Sequence, residues 1–212
     1  MIKSLQRATL ILALAGGTLT ALTGCFPLVA GGMVTGALVA SDRRTTGTVA
    51  EDQGIEVKAA NRIQDSLGDR AHVNVTSYNR QVLITGEVPS AQDKQLVERI
   101  VGNVENVRNI VNELVVMGNS SSGQRMNDSY ITGKVGAAIV DSQDLFRNAF
   151  KIVTERGTVY VMGRVTQREA QRVTDVIAST SGVQRVVRVL EIISEEELAR
   201  MLPPPPPPAP AK

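Results

Sequence analysis

Two octapeptides set 77 residues apart decide the fold: Gln81-Val-Leu-Ile-Thr-Gly-Glu-Val88 and Thr158-Val-Tyr-Val-Met-Gly-Arg-Val165. Each alternates apolar with other side chains and then reaches a glycine, a pattern that indicates a half-buried strand. The same spacing aligns Leu96 and Ile100 with Val173 and Ile177. The chain therefore contains an internal duplication. We place the two copies at residues 51–118 and 127–194.

Each copy carries the pattern of a helix, two strands, a second helix and a third strand. Apolar residues recur at every fourth position of the first helix, on one helical face: Ile55, Ala59 and Ile63 in the first copy, Ile131, Val135 and Ile139 in the second. The second helix opens with a capping box, Ser90-x-x-Asp93 or Thr166-x-x-Glu169. We predict an α+β fold in which each αββαβ copy packs a three-stranded mixed sheet on two helices.

The glycines that end the second strands, Gly86 and Gly163, lie in no phosphate-binding pattern. We interpret both as structural. A side chain at either position is expected to collide with the helix that follows.

The amino terminus has the pattern of a lipoprotein signal peptide, residues 1–24. Lys3 and Arg7 precede an apolar run from Ala8 to Leu22 that is too short to span a bilayer. Leu22-Thr-Gly-Cys25 resembles the bacterial lipobox, in which the cysteine is acylated, and Cys25 is the only cysteine of the chain. Residues 25–50 are then expected to form an acylated N-terminus and a tether, 119–126 a flexible linker, and 195–212 a short helix with a Pro-rich tail.

Composition and charge exclude several classes of protein. Lys and Arg number 23 and Asp and Glu 21, and the signal peptide holds two of the basic residues and no acid. A neutral mature chain with 3% aromatics and no Trp is not that of a nucleic-acid binder. A single Cys and a single His exclude a disulfide framework, a Cys-based zinc site and paired-His motifs.

The chain offers little that would carry catalytic chemistry. His72 lies beside Asp69 and Arg70 in a polar stretch, and we expect it to be solvated. Asp141 and Asp144 lack the oxygen-rich loop of a calcium site and are expected in a turn. We predict no enzymatic activity, no cofactor, no metal site and no small-molecule substrate.

The repeated pattern resembles the BON domain, on residues that recur in both copies: Ile84, Gly86, Val88, Val104 and Val107, and Val161, Gly163, Val165, Gly182, Val183 and Val186. A lipobox followed by two such domains is similar to the dual-BON outer-membrane lipoproteins of Proteobacteria, the DolP/YraP group. The resemblance implies a lipid-anchored protein on the periplasmic face of the outer membrane, and Phe26 in place of Asp after the cysteine agrees with export to that membrane. It also implies binding of anionic phospholipid and a role in envelope stress.

The first helix of the second copy is the candidate membrane contact. Tyr130, Lys134 and Ala137 form a stripe that combines an aromatic ring, a cation and a small residue, as in interfacial helices. The equivalent positions of the first copy, Gly54, Lys58 and Asn61, lack the aromatic. An ordinary solvated helix face is the alternative interpretation of the stripe. The alternative function is that of a periplasmic adaptor that binds proteins of the envelope assembly machinery.

Overall fold

A computed structural model describes residues 42–201 as two α+β domains. Domain 1 contains α1 (Thr46–Leu67), β1 (His72–Tyr78), β2 (Gln81–Val88), α2 (Ala91–Gly102), β3 (Asn109–Asn112) and β4 (Val115–Val116). Domain 2 contains α3 (Ser122–Asp141), β5 (Phe150–Glu155), β6 (Thr158–Val165), α4 (Gln167–Ala178) and β7 (Arg185–Ile192). Short 3₁₀ turns precede β1 and β5, at Gly68–Arg70 and Arg147–Ala149, and α5 (Glu195–Met201) follows domain 2. The predicted αββαβ order is confirmed in both domains.

The two sheets share one topology. The central strand, β2 or β6, pairs antiparallel with the strand before it and parallel with the last strand of its domain. In domain 1 the last strand is divided into β3 and β4, which keep the same register against β2. The interruption lies where Asn112 Oδ1 accepts a hydrogen bond from the backbone N–H of Leu114, at 3.2 Å. Domain 1 therefore has four strands in place of the predicted three.

Each domain has its own hydrophobic core between its two helices and one face of its sheet. The predicted helical faces of α1 and α3 supply Ile55, Ala59, Ile63, Ile131, Val135 and Ile139, all buried. They meet the alternating residues of the central strands, Val82, Ile84, Val159 and Val161. None of the helices among residues 42–201 is both long enough and apolar enough to cross a bilayer.

The other faces of the two sheets pack against each other and form a third core. Its buried members are Tyr78, Leu83, Tyr160, Met162 and Val189. Tyr78 donates its hydroxyl to the carbonyl of Ala149 in domain 2, at 3.3 Å, and the Arg44 guanidinium lies 4.2 Å from the centre of its ring. Burial raises the pKa of Tyr78 to about 12. The two domains are thus joined through an apolar face, not only through the chain that connects them.

Gly86 and Gly163 are structural, but the expected collision partner was wrong. A Cβ at Gly86 would lie 2.0 Å from the carbonyl oxygen of His72, and one at Gly163 would lie 2.6 Å from that of Ala149. The His72 oxygen belongs to β1 and the Ala149 oxygen to the residue just before β5, so neither belongs to the following helix. The glycines permit the first strand of each hairpin to approach closely.

The structure shortens both predicted connectors. In the predicted tether, residues 25–41 lie outside the described part of the chain, whereas Arg43 is buried and α1 begins at Thr46 with Thr45 as its N-cap. In the predicted linker 119–126, Ser120 is buried and α3 begins at Ser122. Capping hydrogen bonds and buried polar contacts order residues 43–50 and 120–126, so neither predicted connector is a flexible spacer along its whole length.

Candidate membrane-contact site

Helix α3 is held on domain 2 by its cap and by one buried aspartate. Ser121 and Gln124 form a capping box at its start. Asp128 is buried and accepts hydrogen bonds at 2.9 Å from the backbone N–H groups of Arg156 and Gly157, in the turn between β5 and β6. These contacts fix the rotation of α3, and with it the residues that face away from the domain.

An apolar stripe runs along the outer face of α3, opposite the buried face. At 100° per residue its members lie within about 80° of one another, and all are exposed: Met126, Tyr130, Gly133, Ala137 and Val140. The exposed fractions are 74% for Met126, 65% for Tyr130 and 59% for Val140. We call these five residues the α3 stripe. It contains no charged side chain, which is unusual for the solvent face of a helix.

The outer face of α1 differs at the same positions. The residues equivalent to the α3 stripe are Ala50, Gly54, Val57, Asn61 and Gln64, of which only Val57 is a large apolar residue. Helix α1 also carries four acidic and two basic residues, whereas α3 carries two of each. The two domains share a fold, but only α3 presents a continuous apolar surface.

Lys134 lies at the edge of the α3 stripe, in contact with an aromatic ring and two neutral oxygens. Its Nζ is 4.9 Å from the centre of the Tyr130 ring, within range of a cation–π contact. The ammonium also donates to the carbonyl oxygen of Ser181 and to its Oγ, the latter at 3.0 Å. Both Ser181 acceptors are neutral, so the positive charge of Lys134 is not cancelled.

The equivalent lysine of domain 1 is neutralised. Lys58 forms an ion pair with Glu105, the residue at the position of Ser181. The hydrogen bond from Lys58 and its charge lower the pKa of Glu105. Arg62 lies near this pair and donates to the carbonyl of Asn103 at 2.9 Å, so domain 1 has a cation here too, but no aromatic ring beside it.

The structure therefore brings the three predicted contact residues to one surface. Tyr130 and Ala137 lie on the outermost line of α3, and Lys134 flanks them. The sequence interpretation omitted Met126, Gly133 and Val140, although their spacing of three and four residues from Tyr130 and Ala137 was visible. Cys25, the predicted acylation site, lies outside the described residues.

A buried ion pair connects the start of the described chain to domain 2. Arg43 makes two hydrogen bonds to the Glu169 carboxylate, at 2.6 and 2.8 Å, and one to the carbonyl of Arg164, at 2.7 Å. Both side chains are 2% exposed. Burial alone would raise the pKa of Glu169, but Arg43 and the backbone N–H of Thr166 outweigh it and leave that pKa lowered. The chain at Arg43 is thereby tied to domain 2 as well as to α1.

His72 is not the solvated loop residue that the sequence predicts. It opens β1, directly opposite Glu87 on β2, and its side chain is mostly buried. The imidazole contacts Glu87 and approaches Glu155 of domain 2. Asp144 does lie in a turn after α3, where it pairs with Arg172 at 2.9 Å. Within residues 42–201, the group of His72, Glu87 and Glu155 is the one whose geometry would admit a metal ion.

Comparison with known proteins agrees with this architecture. The BON-domain family model matches residues 51–118 and 127–194. The chain is 34% identical over 184 residues to the outer membrane lipoprotein DolP of Haemophilus influenzae, covering 86% of this chain and 95% of the relative. It is 27% identical over 154 residues to the 21 kDa hemolysin of Actinobacillus pleuropneumoniae, covering 72% of this chain and 79% of that protein. Two matched domains and a relative aligned over nearly its whole length make this chain a member of the BON-domain family, a dual-BON outer-membrane lipoprotein of the DolP group.

Proposed function

We propose that this protein is a non-enzymatic lipoprotein that contacts anionic phospholipid through the α3 stripe and Lys134, and thereby supports the integrity of the outer membrane. The observation that carries the proposal is the uncharged, exposed line of apolar residues on α3, opposite the face that packs in the core. An exposed apolar surface of this kind marks an interaction site.

The composition of the α3 stripe matches a lipid interface. Tyrosine can bury its ring among headgroups and keep its hydroxyl hydrated. The ammonium of Lys134 lies against that ring and above neutral acceptors, where it can bind a lipid phosphate. One lysine near an anionic surface contributes about 1 kcal/mol, which salt screens. The helix contact is therefore weak when it acts alone.

The anchor makes this weak contact effective. We assign the anchor to Cys25 in its lipobox and place the folded domains on the periplasmic face, with support from the outer-membrane lipoprotein that the chain resembles. Stable membrane attachment takes two signals or more. A tethered domain experiences a high effective concentration of lipid, so a second contact of a few kcal/mol orients it on the surface.

A protein adaptor is the second candidate, and a different surface favours it. Strand β4 exposes Val115 and Val116, and Met117 follows them, with 40–49% of each residue accessible. Val115 and Val116 lie on an outer strand of domain 1, whereas the α3 stripe belongs to domain 2. A protein partner that docks here would be affected by Val116→Lys and not by changes on α3.

The test is flotation with vesicles that contain or lack anionic lipid, using the chain from Phe26 onward, which keeps every described residue and has no anchor. We expect the double variant Tyr130→Ser, Lys134→Glu to lower partitioning onto anionic vesicles more than about tenfold, because it removes the ring and replaces an attraction of about 1 kcal/mol with a repulsion.

Lys58→Glu is the matched control, since it makes the same charge change at the equivalent position of domain 1. It should leave partitioning within about twofold of wild type. Equal loss from Lys58→Glu, or binding that ignores lipid charge, would contradict the assignment of the contact to α3. Binding of an envelope protein that is lost with Val116→Lys and kept in the α3 double variant would favour the adaptor.

A further inference from the structure

The interface between the two domains holds the only histidine of the chain among carboxylates of both domains. His72 and Glu87 are register partners on β1 and β2, and Glu155 ends β5 of domain 2. His72 Nδ1 is 3.1 Å from Glu87 Oε2 and 3.8 Å from Glu155 Oε1. The three donor atoms all lie within 4.8 Å of one another.

Glu155 is a buried carboxylate that lacks a lysine or arginine partner among the described residues. It is buried, its oxygen Oε2 accepts from the amide of Asn74 at 3.1 Å, and among residues 42–201 it forms no ion pair with an Arg or Lys. A buried carboxylate without a basic partner is stabilised by an additional cation beside it.

Glu87 is held so that one oxygen remains directed at His72. Its Oε1 accepts from Arg156 Nε at 2.5 Å. Its Oε2 accepts from the backbone N–H of Ser120 at 3.0 Å and faces the imidazole. Hydrogen bonds of this kind orient carboxylate ligands in metal sites.

We propose that His72, Glu87 and Glu155 bind one divalent transition-metal ion, with Zn²⁺ as the best match, and that this ion links domain 1 to domain 2. Zn²⁺ takes imidazole nitrogen and carboxylate oxygen at about 2.0–2.2 Å in a tetrahedron, which sets donor atoms about 3.3–3.5 Å apart. The two separations from His72 Nδ1, 3.1 and 3.8 Å, differ from this spacing by only a few tenths of an ångström, and the two carboxylate oxygens lie within 4.8 Å of each other. Mg²⁺ and Ca²⁺ prefer sites built from oxygen alone, so an imidazole ligand selects against both.

The structure also offers a fourth metal ligand and a path by which an ion can enter the site. Ser120 Oγ lies 3.3 Å from His72 Nδ1, so either this hydroxyl or a water can complete the tetrahedron. His72 and Glu155 also line a cavity of about 360 Å³ between the domains, with Asn74, Asp128 and Arg125. An ion can therefore reach His72 and Glu155 from this cavity without separation of the sheets.

The test is a titration of ZnCl₂ into the untagged chain from Phe26 onward at neutral pH, followed by calorimetry and by NMR of the histidine ring. The chain has one histidine, so the ring signals report on His72 alone. The form from Phe26 onward also has no cysteine that would compete for Zn²⁺. We expect one saturable site with shifted ring resonances, and no comparable response to MgCl₂. Glu155→Gln should weaken Zn²⁺ binding more than about 100-fold, because loss of even an outer partner of a metal ligand weakens binding 10–100-fold.

Glu113→Gln is the control variant, because Glu113 is another interdomain carboxylate, paired with Arg185 at 3.3 Å and outside the cluster. It should bind Zn²⁺ as wild type does. Ring resonances of wild-type His72 that do not move up to millimolar ZnCl₂ would overturn the proposal. Saturable Zn²⁺ binding that persists in the His72→Gln variant would overturn the proposal as well. The wild-type measurement decides the matter even if a variant fails to fold.

Discussion

Gly86→Ala is expected to lower the free energy of unfolding by more than about 3 kcal/mol, a large effect for the addition of one methyl group. Gly86 has φ +113°, a conformation that side chains rarely adopt, and its Cβ would lie 2.0 Å from the His72 carbonyl oxygen. That oxygen belongs to backbone paired in the sheet, so it cannot move aside without loss of the β1–β2 pairing. Urea unfolding of the chain from Phe26 onward measures the change.

Alanine substitutions at two further glycines should change the free energy of unfolding less, or in the opposite direction. Gly163→Ala should cost less than Gly86→Ala, because its Cβ would lie 2.6 Å from the Ala149 oxygen and its φ is not in the left-handed region. Gly54→Ala should stabilise the protein by about 0.5–1 kcal/mol, since Gly54 lies inside α1 with nothing within 4 Å of an added Cβ. Equal effects of Gly86→Ala and Gly54→Ala would refute the steric explanation.

Arg43→Ala is expected to destabilise the protein by about 3–5 kcal/mol, because it leaves the buried carboxylate of Glu169 without its cation. The double variant Arg43→Met, Glu169→Gln should regain most of the lost free energy of unfolding. Glutamine keeps the capping-box role of Glu169 toward the Thr166 backbone and carries no charge. Chemical unfolding of the two variants and of wild type checks both statements.

Acid should reduce the effect of Arg43→Ala. The pKa of Glu169 is lowered in the folded protein, so its interaction with Arg43 stabilises the fold above the ordinary glutamate pKa of 4.5. That stability is lost as the pH falls through the folded-state pKa. The difference between wild type and Arg43→Ala should therefore narrow below about pH 4.5. A difference that stays constant under acid would show that packing, and not the ion pair, holds Arg43.

The fold could be predicted from the sequence because the duplication repeats every local signal. Apolar residues at four-residue spacing in α1 and α3, and the capped starts of α2 and α4, agree in both copies. The interruption of the last strand of domain 1 was not predictable in this way. It depends on the Asn112 side chain, which also donates to the carbonyl of Lys94 on α2 at 3.3 Å, a contact that exists only in the folded domain.

Contacts between the domains were beyond the reach of sequence patterns. Arg43 and Glu169 are 126 residues apart, and nothing local marks either as one half of a buried pair. His72 looked like a solvated residue because Asp69 and Arg70 precede it. In the folded protein it contacts Glu87 on the neighbouring strand and approaches Glu155, which the packing of the two sheets brings from 83 positions further along the chain. Such contacts depend on how the sheets face each other, which the periodicity of one strand does not specify.

The candidate membrane surface was predicted in part, for a reason that the helix makes clear. Tyr130, Lys134 and Ala137 were identified by comparing the two copies, and such a comparison detects only differences in residue type. The exposure of Met126 and Val140 follows instead from the rotation of α3, fixed by Asp128 at the β5–β6 turn. A search for a second apolar line opposite the core face would have found the whole α3 stripe.

The most direct measurement of the membrane contact uses a single cysteine on the outer line of each first helix. In the chain from Phe26 onward, which has no other cysteine, Ala137→Cys and its equivalent Asn61→Cys are each labelled with a polarity-sensitive fluorophore. With vesicles that contain anionic lipid, we expect a blue shift and increased emission at position 137 and no change at 61. Increased emission at both positions, or at neither, would contradict the account that α3 of domain 2 makes the contact.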